Sequence, residues 1–267
     1  MSFQPILPMT GNLGWSFLKS TREAQQAAFD NSSIIARESQ YFREEIGKVS
    51  SAEDLVSNRR LLQVALGAFG LDEDINNRFF IRKVLEEGTI NTESFANRLA
   101  DKRYFAMAEA FGFDLQPSNT ALSTFPDQII EQYKTRQFEV SIGAQDQDMR
   151  LALGISRDIT DLAERNLRED TAWFTVMGTP TMRRVFEQAL GLPSEIAAID
   201  IDQQLGVFRE KAQTVFGTTD PADFTDPELQ EKLIQNFLFR AGLSSSSSSN
   251  SGASVALSLL QSQAPLF

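Results

Sequence analysis

Carboxylates are the richest source of chemistry in this sequence, because its 267 residues include no histidine and no cysteine. Imidazole bases, thiolate nucleophiles, disulfides and sulfur metal sites are thereby removed together, leaving Asp, Glu, Lys, Ser, Thr and Tyr. Acidic side chains cluster at Asp72, Glu73 and Asp74 and again at Asp200 and Asp202. Neither cluster fits a calcium loop. Counting from Asp72, the position that needs glycine is Asn77 and the one that needs a bidentate acid is Lys83; counting from Asp200, they are Leu205 and Lys211. Both clusters read as negative charge near helix N-termini. The stretch 11–14 is too short for a phosphate loop and lacks its lysine. No catalytic, cofactor-binding or metal-binding residue is assigned, and no cofactor is expected.

Charge narrows the partners. With 25 basic against 36 acidic residues the net charge is −11, which repels a nucleic-acid backbone. The basic pairs Arg59, Arg60 and Arg183, Arg184 sit beside apolar residues at helical spacing and read as polar helix faces. No nucleic acid is expected. No stretch approaches the roughly 18 apolar residues of a membrane helix, so no membrane span is expected. The first fourteen residues do not read as a signal peptide, which predicts synthesis and folding in the cytoplasm. The 21 phenylalanines read as packing residues, among them Phe79, Phe80, Phe105, Phe111, Phe113, Phe237 and Phe239. The pair Trp173 and Phe174 reads as core, with a partner anchor as the other reading.

The elements that would carry these side chains are helical throughout, and the spacing predicts an all-α, multihelical fold. Residues 15–46 form one long helix, with a break near 30–33 where poor helix formers cluster. Residues 58–69 place Leu62, Leu66 and Phe69 on one face, and Gly70 follows as a stop. Residues 74–87 end at Gly88 in the same way, with Phe80, Val84, Ile81 and Leu85 as the apolar face. Asp101 caps a helix that Gly112 closes. Pro126 fits the first turn of a helix that continues, past a weak point at Gly143, to Asn166. Further helices cover 180–190, 202–216 and 227–241.

An internal repeat is visible between residues 61–75 and 182–196, where Val64, Ala68, Gly70, Leu71 and Ile75 match Val185, Ala189, Gly191, Leu192 and Ile196. Further on, Leu99, Asp101 and Lys102 match Leu229, Glu231 and Lys232. Two similar lobes from a duplication are therefore expected, forming one pseudo-symmetric body or two subdomains: 1–120 with the leading long helix, and 121–243. Residues 244–267 are expected to be a serine-rich linker with a short apolar tail. In that tail Val255, Leu257, Leu259 and Leu260 would expose apolar surface in water, which marks them as candidate partner-docking residues.

The run from Leu62 to Leu85, with Ala65, Leu66, Ala68-Phe69-Gly70-Leu71, Ile81 and Val84-Leu85, resembles an alphaproteobacterial helical family, domain of unknown function 1217. The similarity continues through Ser94-Phe95-Ala96-Asn97-Arg98-Leu99 and Tyr104 to Ala110-Phe111. The resemblance implies a multihelical fold and genes often encoded beside flagellar ones, and it carries no catalytic residues. Three functions are weighed on this footing. The first is a non-enzymatic structural, accessory or export-related flagellar protein, cytoplasmic or exported without a cleaved signal, whose partners are other proteins such as flagellar components. The others are a cytosolic helical binding or regulatory module outside motility, and a carboxylate-dependent enzyme.

Overall fold

The computed structural model describes residues 3–99 and 101–249. Among them there is no strand, and thirteen α-helices are joined by short 3-10 turns. In chain order these are α1 (Gly11–Asp30), α2 (Ser33–Glu45), α3 (Ala52–Ser57), α4 (Arg59–Phe69), α5 (Arg78–Glu87), α6 (Phe95–Arg98), α7 (Arg103–Phe111), α8 (Phe125–Gly143), α9 (Gln147–Glu164), α10 (Glu169–Gly178), α11 (Pro180–Leu190), α12 (Ile201–Phe216) and α13 (Pro227–Ser249). None of the described helices is long and apolar enough to cross a membrane.

Two compact units result. The first takes the residues up to Ile6 and Ser20–Ala144, and the second takes Leu7–Lys19 and the chain from Gln145 onward. The boundary expected at residue 120 lies instead at Ala144, because α8 packs along α4 and belongs with the first unit. The expected continuation of α8 to Asn166 is interrupted after Gly143. Asp146 turns the chain and accepts hydrogen bonds from the backbone N–H groups of Asp148 and Met149, at 2.9 and 3.0 Å, which starts α9. The predicted break after Asp30 is present, with α1 ending there and α2 starting at Ser33. The serine run, expected as a linker, is helical and carries α13 through Ser249. The tail residues Val255, Leu257, Leu259 and Leu260 lie outside the described residues.

The first unit is organised around α4, whose residues Leu61, Leu62 and Val64 through Phe69 are buried. Gly67 lets α8 come close, since a Cβ there would lie 2.8 Å from Cδ2 of Tyr133. Tyr133 is buried beneath this contact, and burial, followed by the charges of Glu38 and Asp72, pushes its phenol up to about 12. Arg60 stacks over Tyr41 at 3.8 Å and donates to Glu38 at 2.8 Å, joining α4 to α2. The second unit is organised around α11, which packs along α13 and against α9, α10 and α12. Its core is an edge-to-face chain of rings in which Trp173 meets Phe186 at 5.5 Å, and Phe186 meets Phe224 at 5.2 Å. The Trp173 indole N–H donates to the Thr219 carbonyl at 2.6 Å, so this residue is core and the pair's partner-anchor reading fails for it.

Over the first matched stretch, both units show a helix closed by a left-handed glycine and followed by a 3-10 turn. Gly70 has φ 68° and Gly191 has φ 68°. Leu71 N–H bonds to the Leu66 carbonyl at 2.9 Å and Leu192 N–H to the Glu187 carbonyl at 2.8 Å, the same six-residue closure in both. The second stretch does not correspond in this way: Leu99 follows the four-residue α6, whereas Leu229 lies in the first turns of α13.

Helix α1 enters both units. Its first half is tied into the second unit by Glu231 of α13, which accepts from Lys19 Nζ at 2.6 Å and Trp15 Nε1 at 3.2 Å. Burial alone would raise the Glu231 pKa, but hydrogen bonds from Lys19, Trp15 and Gln235 outweigh it and hold it below the usual glutamate value. A depressed folded-state pKa gives stability that is complete above the unfolded value near about 4.3 and is lost as pH falls through the folded one. Glu231→Gln should therefore flatten the acid limb of a melting-temperature profile below about pH 4.3; an unchanged acid limb would show that the contact contributes nothing. Gly191→Ala should lower stability by about 2 kcal/mol, because a left-handed alanine is strained and the Arg240 guanidinium occupies the space its Cβ needs. Gly47→Ala, where nothing lies within reach of a new Cβ, is the control and should stay within about 0.5 kcal/mol in urea denaturation.

Candidate protein-docking site

In the first unit a short helix and a longer one expose a shallow depression between them. Helix α3 begins at a capping box: Ser51 Oγ accepts from Asp54 N–H at 3.1 Å, while Asp54 Oδ2 accepts from Ser51 N–H at 3.1 Å. The Ser51 hydrogen bond, aided by Ser50, holds the Asp54 pKa below its ordinary value. Helix α3 buries Ala52, Leu55 and Val56 and turns Glu53 and Ser57 outward. A single residue, Asn58, then separates it from α4, accepting the N–H groups of Arg60 and Leu61 at 3.2 and 3.3 Å.

Helix α5 supplies the other wall. Ile81, Val84 and Leu85 point inward, so Arg78, Phe79 and Arg82 fall on the outer side. Phe80 is half-buried, meeting Tyr104 edge-on at 5.1 Å and Phe95 at 5.7 Å. Phe79, its chain neighbour, is 72% exposed. Packing was the expectation for Phe79 and for Phe239, and the structure overturns both; Phe239 is 59% exposed on α13. The reason is periodicity: Phe80, Ile81, Val84 and Leu85 already fill the apolar face of α5, and Phe79 precedes Arg82 and Lys83, which are polar. That signal was legible in the sequence.

Arg82 bridges the two walls. It donates to Glu53 at 2.6 Å, lies 3.5 Å from Glu86, and is stacked over Phe79 at 5.4 Å. The hydrogen bond to Glu53 raises its pKa above the ordinary value. The depression lined by Glu53, Val56, Ser57, Arg78, Phe79 and Arg82 has a volume of about 200 Å³. Pockets that enclose small molecules run from about 300 to 1,000 Å³, so this one suits a single side chain better than a metabolite.

The other nominated side chains do not converge. Asp72 accepts from Gln137 at 2.7 Å, Asp74 from the Tyr104 hydroxyl at 2.6 Å, and Asp200 caps α12 through Asp202 N–H at 2.9 Å. Of the basic pairs, Arg60 is held by Glu38, Arg183 by Glu187 and Gln204, and Arg184 by Asp148. Among the described residues no group of three acidic side chains could hold a metal ion.

Comparison with known proteins adds a family and a fold. The sequence model of the family described as protein of unknown function DUF1217 matches residues 68–230. The crystal structure of protein AGR_C_984 from Agrobacterium tumefaciens is similar, with 25% identity and a TM-score of 0.69, over 89% of this chain and 97% of that one. No curated protein matches the chain.

Phe79 and Phe80 should separate in a mutational test. Phe79→Ala should leave stability within about 0.5 kcal/mol, as for a surface change, while Phe80→Ala should cost about 2 kcal/mol through its lost ring contacts. Denaturation midpoints measure both, and equal costs would return Phe79 to the core.

Proposed function

This chain belongs to the DUF1217 family, and from that premise we propose that it is a non-enzymatic accessory protein of the bacterial flagellum, working through protein–protein contacts at the α3–α5 depression. The observation that carries the binding role is Phe79, a large aromatic ring left in water between two arginines. Aromatic and arginine side chains dominate the energetics of protein interfaces, and an exposed ring contributes little to the core of a monomer. The non-enzymatic reading draws support from Asp54 and Asp200, which serve as helix caps, from Glu53, which is held by Arg82, and from a depression below the size of small-molecule pockets. The flagellar assignment draws support from the gene neighbourhoods that the family resemblance implies. The neighbouring structure comes from Agrobacterium tumefaciens, an alphaproteobacterium, as that resemblance would have it. On this reading the protein acts in the cytoplasm at the flagellar base, or outside it after export without a cleaved signal.

Deleting the gene in its native bacterium should shrink the swimming halo in soft agar, with wild-type chain restoring it and Phe79→Ala failing to. Normal swimming of the deletion strain would place the binding role outside motility.

A further inference from the structure

We propose that the occupant of the α3–α5 depression is an acidic amphipathic helix of another protein, seating one apolar side chain on Phe79 and Val56 and one carboxylate on Arg78. The proposal rests on the docking role given above and specifies its partner chemistry.

Three observations carry it. The first is charge. In a chain of net charge −11 the lining of this depression holds two arginines, Arg78 and Arg82, against one acid, Glu53. The acids nearby are already engaged: Glu53 and Glu86 face Arg82, and Glu87 accepts Phe95 N–H at 2.7 Å and lies 3.8 Å from Lys83. Arg78 is exposed, and its guanidinium has no carboxylate or hydrogen-bond acceptor among the described residues. Complementary charge of this kind steers encounter and selects against basic partners.

The second observation is size. About 200 Å³ admits one leucine- or phenylalanine-sized group, which is how a helix anchors in a groove, through single apolar residues one turn apart. The third is shape. At 1.5 Å rise per residue, the ten residues of α5 and the six of α3 offer walls of about 15 and 9 Å, close to three turns and under two turns of helix. There is no sheet edge among the described residues to accept an extended strand.

The test pans a displayed library of randomised amphipathic helices on the full chain, with Phe79→Ala and Arg78→Glu as counter-targets. Enriched clones should carry Asp or Glu one turn from a Leu, Met or Phe, and should bind both variants at least about tenfold more weakly. Arg78→Glu should in turn select clones with Lys at the acidic position, a swap that a misfolded variant could not produce. Clones enriched in basic residues, or bound equally by both variants, would overturn the proposal. So would a concentration-dependent dimer in sedimentation that Phe79→Ala abolishes, since the occupant would then be a second copy. The soft-agar assay separates the two readings. Acidic clones with unimpaired swimming of the Phe79→Ala strain keep this inference and reject the flagellar role, while basic clones with impaired swimming do the reverse.

Discussion

Two glycines in the left-handed conformation, Gly70 and Gly191, determine where the central helix of each unit stops and which way the chain leaves. Each closes its helix by the same six-residue hydrogen bond and is covered by arginine. Arg103 donates to the Gly70 carbonyl and Arg136 of α8 lies beside Gly70, while Arg240 of α13 lies over Gly191. A guanidinium at a helix C-terminus satisfies carbonyls that the helix itself cannot and opposes the negative end of its dipole. Arg103 thereby ties α7 to the C-terminus of α4.

In the first unit the consequence reaches the docking depression. With α4 stopped at Phe69, the 3-10 turn Asp72–Asn76 sends α5 back past α3, against which it packs. Asn58, capping α4 immediately after α3 ends, gives the other wall its sharp corner. The depression is thus the outer seam of a helix arrangement whose inner side is core, and Arg82 closes the seam by holding Glu53. Phe79 and Arg78 then have no direction left but outward.

Boundaries set by local chemistry were legible in the sequence. Gly70, Gly112 and Gly191 each stop a helix where expected, and Pro180 opens one, because backbone preference acts within a turn. Asp101, expected as the cap of α7, lies one residue ahead of the N-cap Lys102 and accepts Arg103 N–H at 3.0 Å from there. Features set by distant contacts were harder to read. The six-residue α3 is too short to show a period and is stabilised by burying Ala52, Leu55 and Val56 against α4 and α5. The unit boundary depends on α8 lying along α4, which no local window contains. The groove divides along the same line: Phe79 could be read from the filled apolar face of α5, whereas the Arg82–Glu53 bridge joins residues 29 positions apart.

The course of α1 has a bearing on how the protein is made. Trp15 and Lys19 find their acceptor, Glu231, only after another 212 residues in the case of Lys19 have been synthesised. At about 5 to 20 residues per second, that segment waits on the order of ten to forty seconds with its buried face uncovered. Meanwhile the residues from Ser20 to Ala144 can gather into their own unit as they leave the ribosome. The N-terminal half of the helix is therefore synthesised well before the helix that encloses it, an interval in which a chaperone has access to it.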